Sequence, residues 1–315
     1  MTIVNEYYKK EFSASEEDQR DFDEWQREFS VSLDHIALEA VKLNSEYITL
    51  NEEGFKDAFE NVIDTLGTIT NKALEKLSKV KYMFTYGDRP LDKMEFDVTS
   101  VNQLLSMKDL DKTYANERNT QVMAPHGSKG YVLPYLEANY QLFKQVVNVN
   151  LMIDQLRKDM GALVYSENGL KDINSLNYNF YKKAEVEMDK RLKAFSQLRV
   201  KDDFGQERPF SKLYRNYREL RTTSDLAVKI VTEMNVFDLI QVNDNAQTIK
   251  EYVPKIKEKM ANGYSKKLLS NLADATLVVA RTIEIFATTL HVQRTINASL
   301  EHTAKTLMES IKSKA

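Results

Sequence analysis

The sequence predicts an all-α fold, an elongated bundle of about six or seven helices, several of them long. Its 315 residues include only 9 Gly and 5 Pro, whereas sandwiches, barrels and doubly wound sheets need frequent turns or Gly-rich loops. Apolar residues recur at steps of three and four over most of the chain, which is the helical period. The main interruption of that pattern is an irregular region over residues 85–134.

Residues 1–84 predict an N-terminal pair of helices. The first begins at Ser15 and runs to about Tyr47, with acidic residues in its first turns that suit the helix dipole. Its predicted apolar face consists of Phe22, Trp25, Phe29, Leu33, Ile36, Ala40 and Leu43. The second helix begins near Glu52 and ends before the turn residues 87–90.

Residues 85–134 predict a loop or arm, with one short helix over residues 98–110. Irregular segments of this length are uncommon in compact domains and are often functional. We therefore expect residues 112–133 to contact neighbouring proteins. The candidate contact residues are Asn119, Gln121, Met123, Pro125, His126 and Lys129.

Residues 135–315 predict the main helical bundle. One long helix begins at Pro134, and two more cover about 174–200 and 211–240. A weaker helix over 248–259 has Pro254 as a kink or boundary. The last helix runs from Tyr264 to the C-terminus, and a helix of about 50 residues spans roughly 75 Å. Such length predicts an elongated or self-associating protein.

Composition excludes several classes of function. The chain has no Cys, which excludes disulfide frameworks, thiolate zinc sites and thiol nucleophiles. The net charge of -3 is nearly balanced, so composition does not indicate a dedicated nucleic-acid binder. We find neither a signal peptide nor an apolar run of the ~18 residues that a membrane span needs. We expect a protein of the cytoplasm, or of a particle assembled there.

No motif indicates an enzyme. None of the four histidines has a Glu three residues before it, as helical di-metal sites require. The segment 127–130 contains Gly and Lys but lacks the spacing of a phosphate-binding loop, and no nucleophile elbow is present. We therefore expect no catalytic residue, no metal and no cofactor.

The basic stretch over residues 182–221 is a second candidate contact surface. Arg215, Arg218 and Arg221 recur every third residue, and the neighbouring Tyr214 and Tyr217 could stack on bases. Acidic residues are interspersed in the same stretch. Three interpretations stay open: docking of an acidic protein surface such as the first helix, binding of nucleic acid, or a solvated face.

The first functional hypothesis is a structural or assembly protein that acts through helix-mediated contacts with other subunits, itself included. A virion or phage-particle component is one concrete form. The alternative is a regulatory or nucleic-acid-associated helical protein that uses the basic stretch. A helical pore-forming toxin is a minor alternative, because the amphipathic C-terminal helix lacks the cationic polar face of an interfacial helix.

Overall fold

A computed structural model of the chain confirms the all-α fold. It describes residues 20, 24–25, 27–45, 51–86, 114–115, 131–146, 149–196, 208–209, 213–235, 239–286 and 289. Eight helices make up most of these residues. The predicted short helix over 98–110 and the part of the C-terminal helix beyond residue 289 lie outside the described residues.

Eight helices follow one another along the described ranges. They are α1 (residues 27–44), α2 (Glu52–Tyr86), α3 (Val132–Val146), α4 (Val149–Tyr165), α5 (Tyr178–Ser196), α6 (Tyr217–Asn235), α7 (Leu239–Met260) and α8 (residues 266–286). A 3-10 turn, Ile173–Ser175, precedes α5. Two short strands, β1 (Tyr114–Ala115) and β2 (Arg208–Pro209), form an antiparallel pair with Tyr114 opposite Pro209.

Several helix boundaries differ from the predicted ones: the helix expected over 211–240 is the shorter α6, and the one expected over 248–259 begins earlier, at Leu239 of α7. The helix predicted to begin at Pro134 is two helices, α3 and α4. Pro254 lies inside α7 and does not end it. Pro254 is exposed. Water can therefore hydrate the carbonyl four residues earlier, which receives no hydrogen bond from proline because proline has no N–H.

The chain forms two compact units, each built from separate stretches of sequence. The first comprises Met1–Leu74, Leu151–Tyr181 and Val242–Glu284, and the second comprises Glu75–Asn150, Lys182–Gln241 and Ile285–Ala315. Both combine stretches from the N-terminal and C-terminal parts of the chain. The division into residues 1–84, 85–134 and 135–315 stays a prediction.

In the first unit, α8 is the central helix. Its consecutive residues 268–273 are all buried, and a helix that is buried all round lies in the middle of a bundle. Ser270 donates its hydroxyl hydrogen to the carbonyl of Leu43, 3.0 Å away. Asp274 accepts hydrogen bonds from Asn44 at 3.0 Å and from Tyr178 at 2.8 Å, so one carboxylate fixes the end of α1 and the start of α5 on α8.

Two glycines shape the loops at the end of α4 and α7. Gly263 has φ 96°, a left-handed conformation that glycine adopts without strain, and it ends α7. Gly169 is packed directly against the backbone of the last turn of α4. Lys259 of α7 donates to the carbonyls of Leu163 and Ser166, which satisfies acceptors that the helix end leaves open.

A buried polar network connects α4 to α5 in the same unit. Asp159 is 6% exposed and accepts hydrogen bonds from Tyr181 and from Gln155, each 2.8 Å away. Burial raises the pKa of Asp159, and the hydrogen bonds from Tyr181, Gln155 and the Asn177 backbone oppose that rise. Burial and the neighbouring carboxylate also raise the pKa of Tyr181.

In the second unit, α3 packs against α6. Tyr140 donates to Glu233 at 2.8 Å, and the ammonium groups of Lys144 and Lys229 lie 4.3 and 5.5 Å from the centre of its ring. The amide of Val132 donates to the carbonyl of Leu213 at 3.0 Å. These contacts fix both ends of α3 to the chain around α6.

Candidate interaction surface

The inward face of α1 is the one that the sequence predicts. Phe29, Leu33, Ile36, Ala40 and Leu43 are all buried, and their steps of three and four residues place them on one side of the helix. Trp25, just before α1, lies with its ring centre 4.9 Å from that of Phe29 and donates its indole N–H to the carbonyl of Lys72 at 3.3 Å. The orientation of α1 is therefore fixed by its packing.

The opposite side of α1 carries a second row of apolar side chains, which is exposed. Val31 is 69% exposed, Leu38 55% and Val41 60%. Spacings of seven and three residues place all three on one outward face. We call Val31, Leu38 and Val41 the outer row. Single exposed apolar residues are normal, but several of them on one face of a helix are a feature of contact surfaces.

One acidic residue interrupts the outer row. Asp34 lies between Val31 and Leu38 and is exposed, and its side chain forms no ion pair within the described part of the chain. It lies close enough to Glu284 of α8 to influence its protonation. Glu284 itself accepts a hydrogen bond from Ser30 at 3.4 Å. The centre of this surface therefore has two neighbouring carboxyl groups.

The charged residues beside the row are paired with one another. Glu28 and Lys72 form an ion pair at 2.6 Å, as do Glu39 and Lys42. The surface thus combines an apolar row, paired charges at its edges and an acidic centre.

The stability of this region is expected to depend on pH through Glu284. Burial raises its pKa most, Asp34 raises it further, and Ser30 and Arg281 oppose the rise. Because the pKa is higher in the folded chain, the contribution of Glu284 to stability is complete below its unfolded pKa near about 4.3 and is lost as pH rises through the folded value. Glu284→Gln, which keeps the Ser30 contact, should gain stability relative to wild type between pH 4.5 and pH 7.5. Denaturant unfolding at the two pH values measures this, and an unchanged difference would contradict it.

Among the candidate contact residues of the basic stretch, three arginines are exposed and one tyrosine is buried. Arg215 and Arg221 each have a carboxylate 3.9 Å away, Glu219 and Asp225 respectively, and the Arg215 guanidinium lies 4.5 Å from the centre of the Tyr131 ring. Arg218 is exposed and forms no ion pair within the described residues. Tyr214 is fully buried, so it packs in the interior instead of facing a partner. Tyr217 is the first residue of α6.

The predicted contact residues of the arm lie outside the described residues. These are Asn119, Gln121, Met123, Pro125, His126 and Lys129. Within the ranges that the structure describes, no group of three or more His, Cys, Asp or Glu side chains could hold a metal ion. In those ranges, too, no helix combines the length and the apolar character that a bilayer crossing requires.

Sequence reasoning identified the inward face of α1 and missed the outer row. The signal was present, because Val31, Leu38 and Val41 follow a helical spacing of their own beside the core positions. A helix with two apolar faces either lies in a core or contacts a partner. Comparison with known proteins adds no further assignment: no family model, no curated protein and no solved structure matches the chain.

Proposed function

We propose that this chain is a non-enzymatic structural or assembly protein that acts through helix-mediated contacts with other protein subunits. The outer row of α1 carries this proposal. The other face of α1 is already packed against the core. Three large apolar side chains that stay in water therefore contribute nothing to the stability of the isolated chain. A subunit that covers the row recovers their hydrophobic contribution.

The size of the row indicates how such a contact would work. Complete burial of a Val or Leu side chain contributes about 1.5–3 kcal/mol, so covering what remains exposed contributes on the order of 3 to 5 kcal/mol. A micromolar complex needs about 8 kcal/mol after the cost of association. The outer row therefore suits a contact that is repeated or combined with others, as in an assembly of many subunits. A virion component is the concrete form that we propose.

The double variant Leu38→Ser/Val41→Ser tests the proposal. Sedimentation velocity and chemical cross-linking of the full chain, alone and in extract of the producing cell, report its assembly state. We expect wild type to assemble and the double variant to assemble at least tenfold more weakly. Since both positions are exposed, the free energy of unfolding should change by about 0.5 kcal/mol or less. Val186→Ser is the matched control, because Val186 is 64% exposed on α5.

A wild-type chain that stays monomeric and captures no partner would overturn the proposal. The alternative, a nucleic-acid-associated protein, is supported by the exposure of Arg218. It is supported less by Arg215 and Arg221, because nearby carboxylates already offset part of their charge. Phosphate contacts weaken steeply with salt, so retention on heparin at low salt, lost in Arg218→Glu, is the result that would favour this alternative.

A further inference from the structure

We infer that the outer row of α1 binds an amphipathic helix of another protein, which places a Lys or Arg opposite Asp34. This inference rests on the proposed function and specifies the partner of the same surface. The first observation is the spacing. Val31 and Leu38 are seven residues apart and Val41 follows three later, which corresponds to positions a, a and d of a heptad. Asp34 occupies the intervening d position, and Ser45 the next a position.

The second observation is the charge at the centre of the surface. A helix that covers Val31 and Leu38 also removes water from Asp34, and a desolvated carboxylate is costly unless it is paired. A neighbouring carboxyl group is of the same sign, since Asp34 disfavours the ionised form of Glu284, and the cation Arg281 acts on Glu284. Lys42, on the same helix, lies 2.6 Å from Glu39. The partner must therefore supply the cation, and a single polar position in an apolar seam is a device that selects partner and register.

Pairing with α1 of a second copy does not supply that cation. In a parallel pairing, equivalent d positions meet and Asp34 would face Asp34. In an antiparallel pairing that sets Leu38 opposite Val41, Asp34 would face Ser45, which carries no charge. The complementary surface is thus an apolar and cationic helix from a different protein.

Two synthetic helical peptides of three heptads test the inference. Both have Leu at the seam positions, and they differ only in carrying Lys or Glu at one central seam position. Fluorescence anisotropy with the full chain, at concentrations where each peptide is monomeric, gives their dissociation constants. We expect the Lys peptide to bind wild type about tenfold more tightly than the Glu peptide, and Asp34→Lys to reverse the preference. Leu38→Ser should abolish binding, and Val186→Ser should leave it unchanged.

The outcomes separate this inference from the proposed function. If neither peptide binds, or if both bind equally, the inference is overturned. If the chain then still assembles in a Leu38-dependent manner, the proposed function stands with a different partner, and a self-association that Asp34→Lys does not alter would identify a second copy. If assembly is also absent, both fail. Thermal unfolding followed by circular dichroism confirms that Asp34→Lys is folded, since residue 34 is exposed.

Discussion

Replacement of Gly169 by alanine is expected to destabilise the folded chain by about 3 kcal/mol. A Cβ atom at this position would lie 2.3 Å from the carbonyl oxygen of Leu163 and 2.8 Å from that of Ala162. Both atoms belong to the backbone of α4, which cannot move aside as a flexible side chain could. The last turn of α4 is also held by Lys259, so relief of the clash requires the loop after α4 to shift. Urea unfolding of both proteins measures the difference.

Gly67→Ala is the matched control for this substitution. Gly67 lies within α2, and a Cβ there would meet nothing within 4 Å. Alanine should therefore stabilise the chain by about 0.5–1 kcal/mol, because it restricts the unfolded chain and is the better helix former. Opposite signs at the two glycines are the expected result. Equal stability of Gly169→Ala and wild type would show that the loop packs differently from this structure.

The helices could be predicted from the sequence because their patterns are local. The second helix was expected from Glu52 to before Gly87, and α2 covers Glu52–Tyr86. The buried face of α1 likewise follows from residues three and four apart, and Phe29 and Ile36 are both fully buried. Neither inference needs knowledge of what the helix packs against, since the helical period of apolar residues is a local pattern.

Features that depend on distant parts of the chain could not be predicted in this way. The carboxylate of Asp274 joins Asn44 and Tyr178, which are 230 and 96 residues away in sequence, and no local pattern encodes such a meeting. Pro254, expected to be a kink or a boundary, lies inside α7 and on its exposed side. The local sequence did not decide between those two alternatives. The two-residue pairing of Tyr114 with Pro209 also has no sequence signal of its own.

The candidate contact surface was predictable only in part. The arginine row was found by its three-residue spacing. The structure adds that Arg215 and Arg221 each have a carboxylate four residues on, from Glu219 and Asp225 respectively. Tyr214 was expected to face a partner because it neighbours Arg215. It begins no helix and points into the interior instead, next to the buried Leu213. Tyr214 and Arg215 both precede α6, where no helical geometry relates the directions of neighbouring side chains. The exposure of Arg215 therefore did not predict the exposure of Tyr214.

Removal of the Tyr181 side chain is expected to have the largest effect of any change in the α4–α5 network. Tyr181 is fully buried, so Tyr181→Ala should cost about 4 kcal/mol through lost packing and the cavity that remains. Tyr181→Phe keeps the ring and removes only the donor to Asp159, which lies 2.8 Å away. This variant should cost about 2 kcal/mol, since hydrogen bonds to charged groups contribute about 1.5–3 kcal/mol. Tyr165→Phe is the control, because Tyr165 is 69% exposed and its loss of a hydroxyl should change little.

The cost of Tyr181→Phe should also depend on pH, which distinguishes a bond to a carboxylate from simple packing. The Tyr181 hydroxyl lowers the pKa of Asp159 against the larger effect of burial, so its removal raises that pKa further. Because the pKa of Asp159 is raised in the folded chain, its contribution to stability is complete below the unfolded pKa near about 3.9. That contribution is lost as pH rises through the folded pKa. The penalty of Tyr181→Phe relative to wild type should therefore be larger at pH 7.5 than at pH 4.5, where Asp159 is closer to neutral in both proteins. A penalty that is equal at both pH values would mean that the hydroxyl contributes only through packing, and that Asp159 receives its stabilisation from Gln155 and the Asn177 backbone.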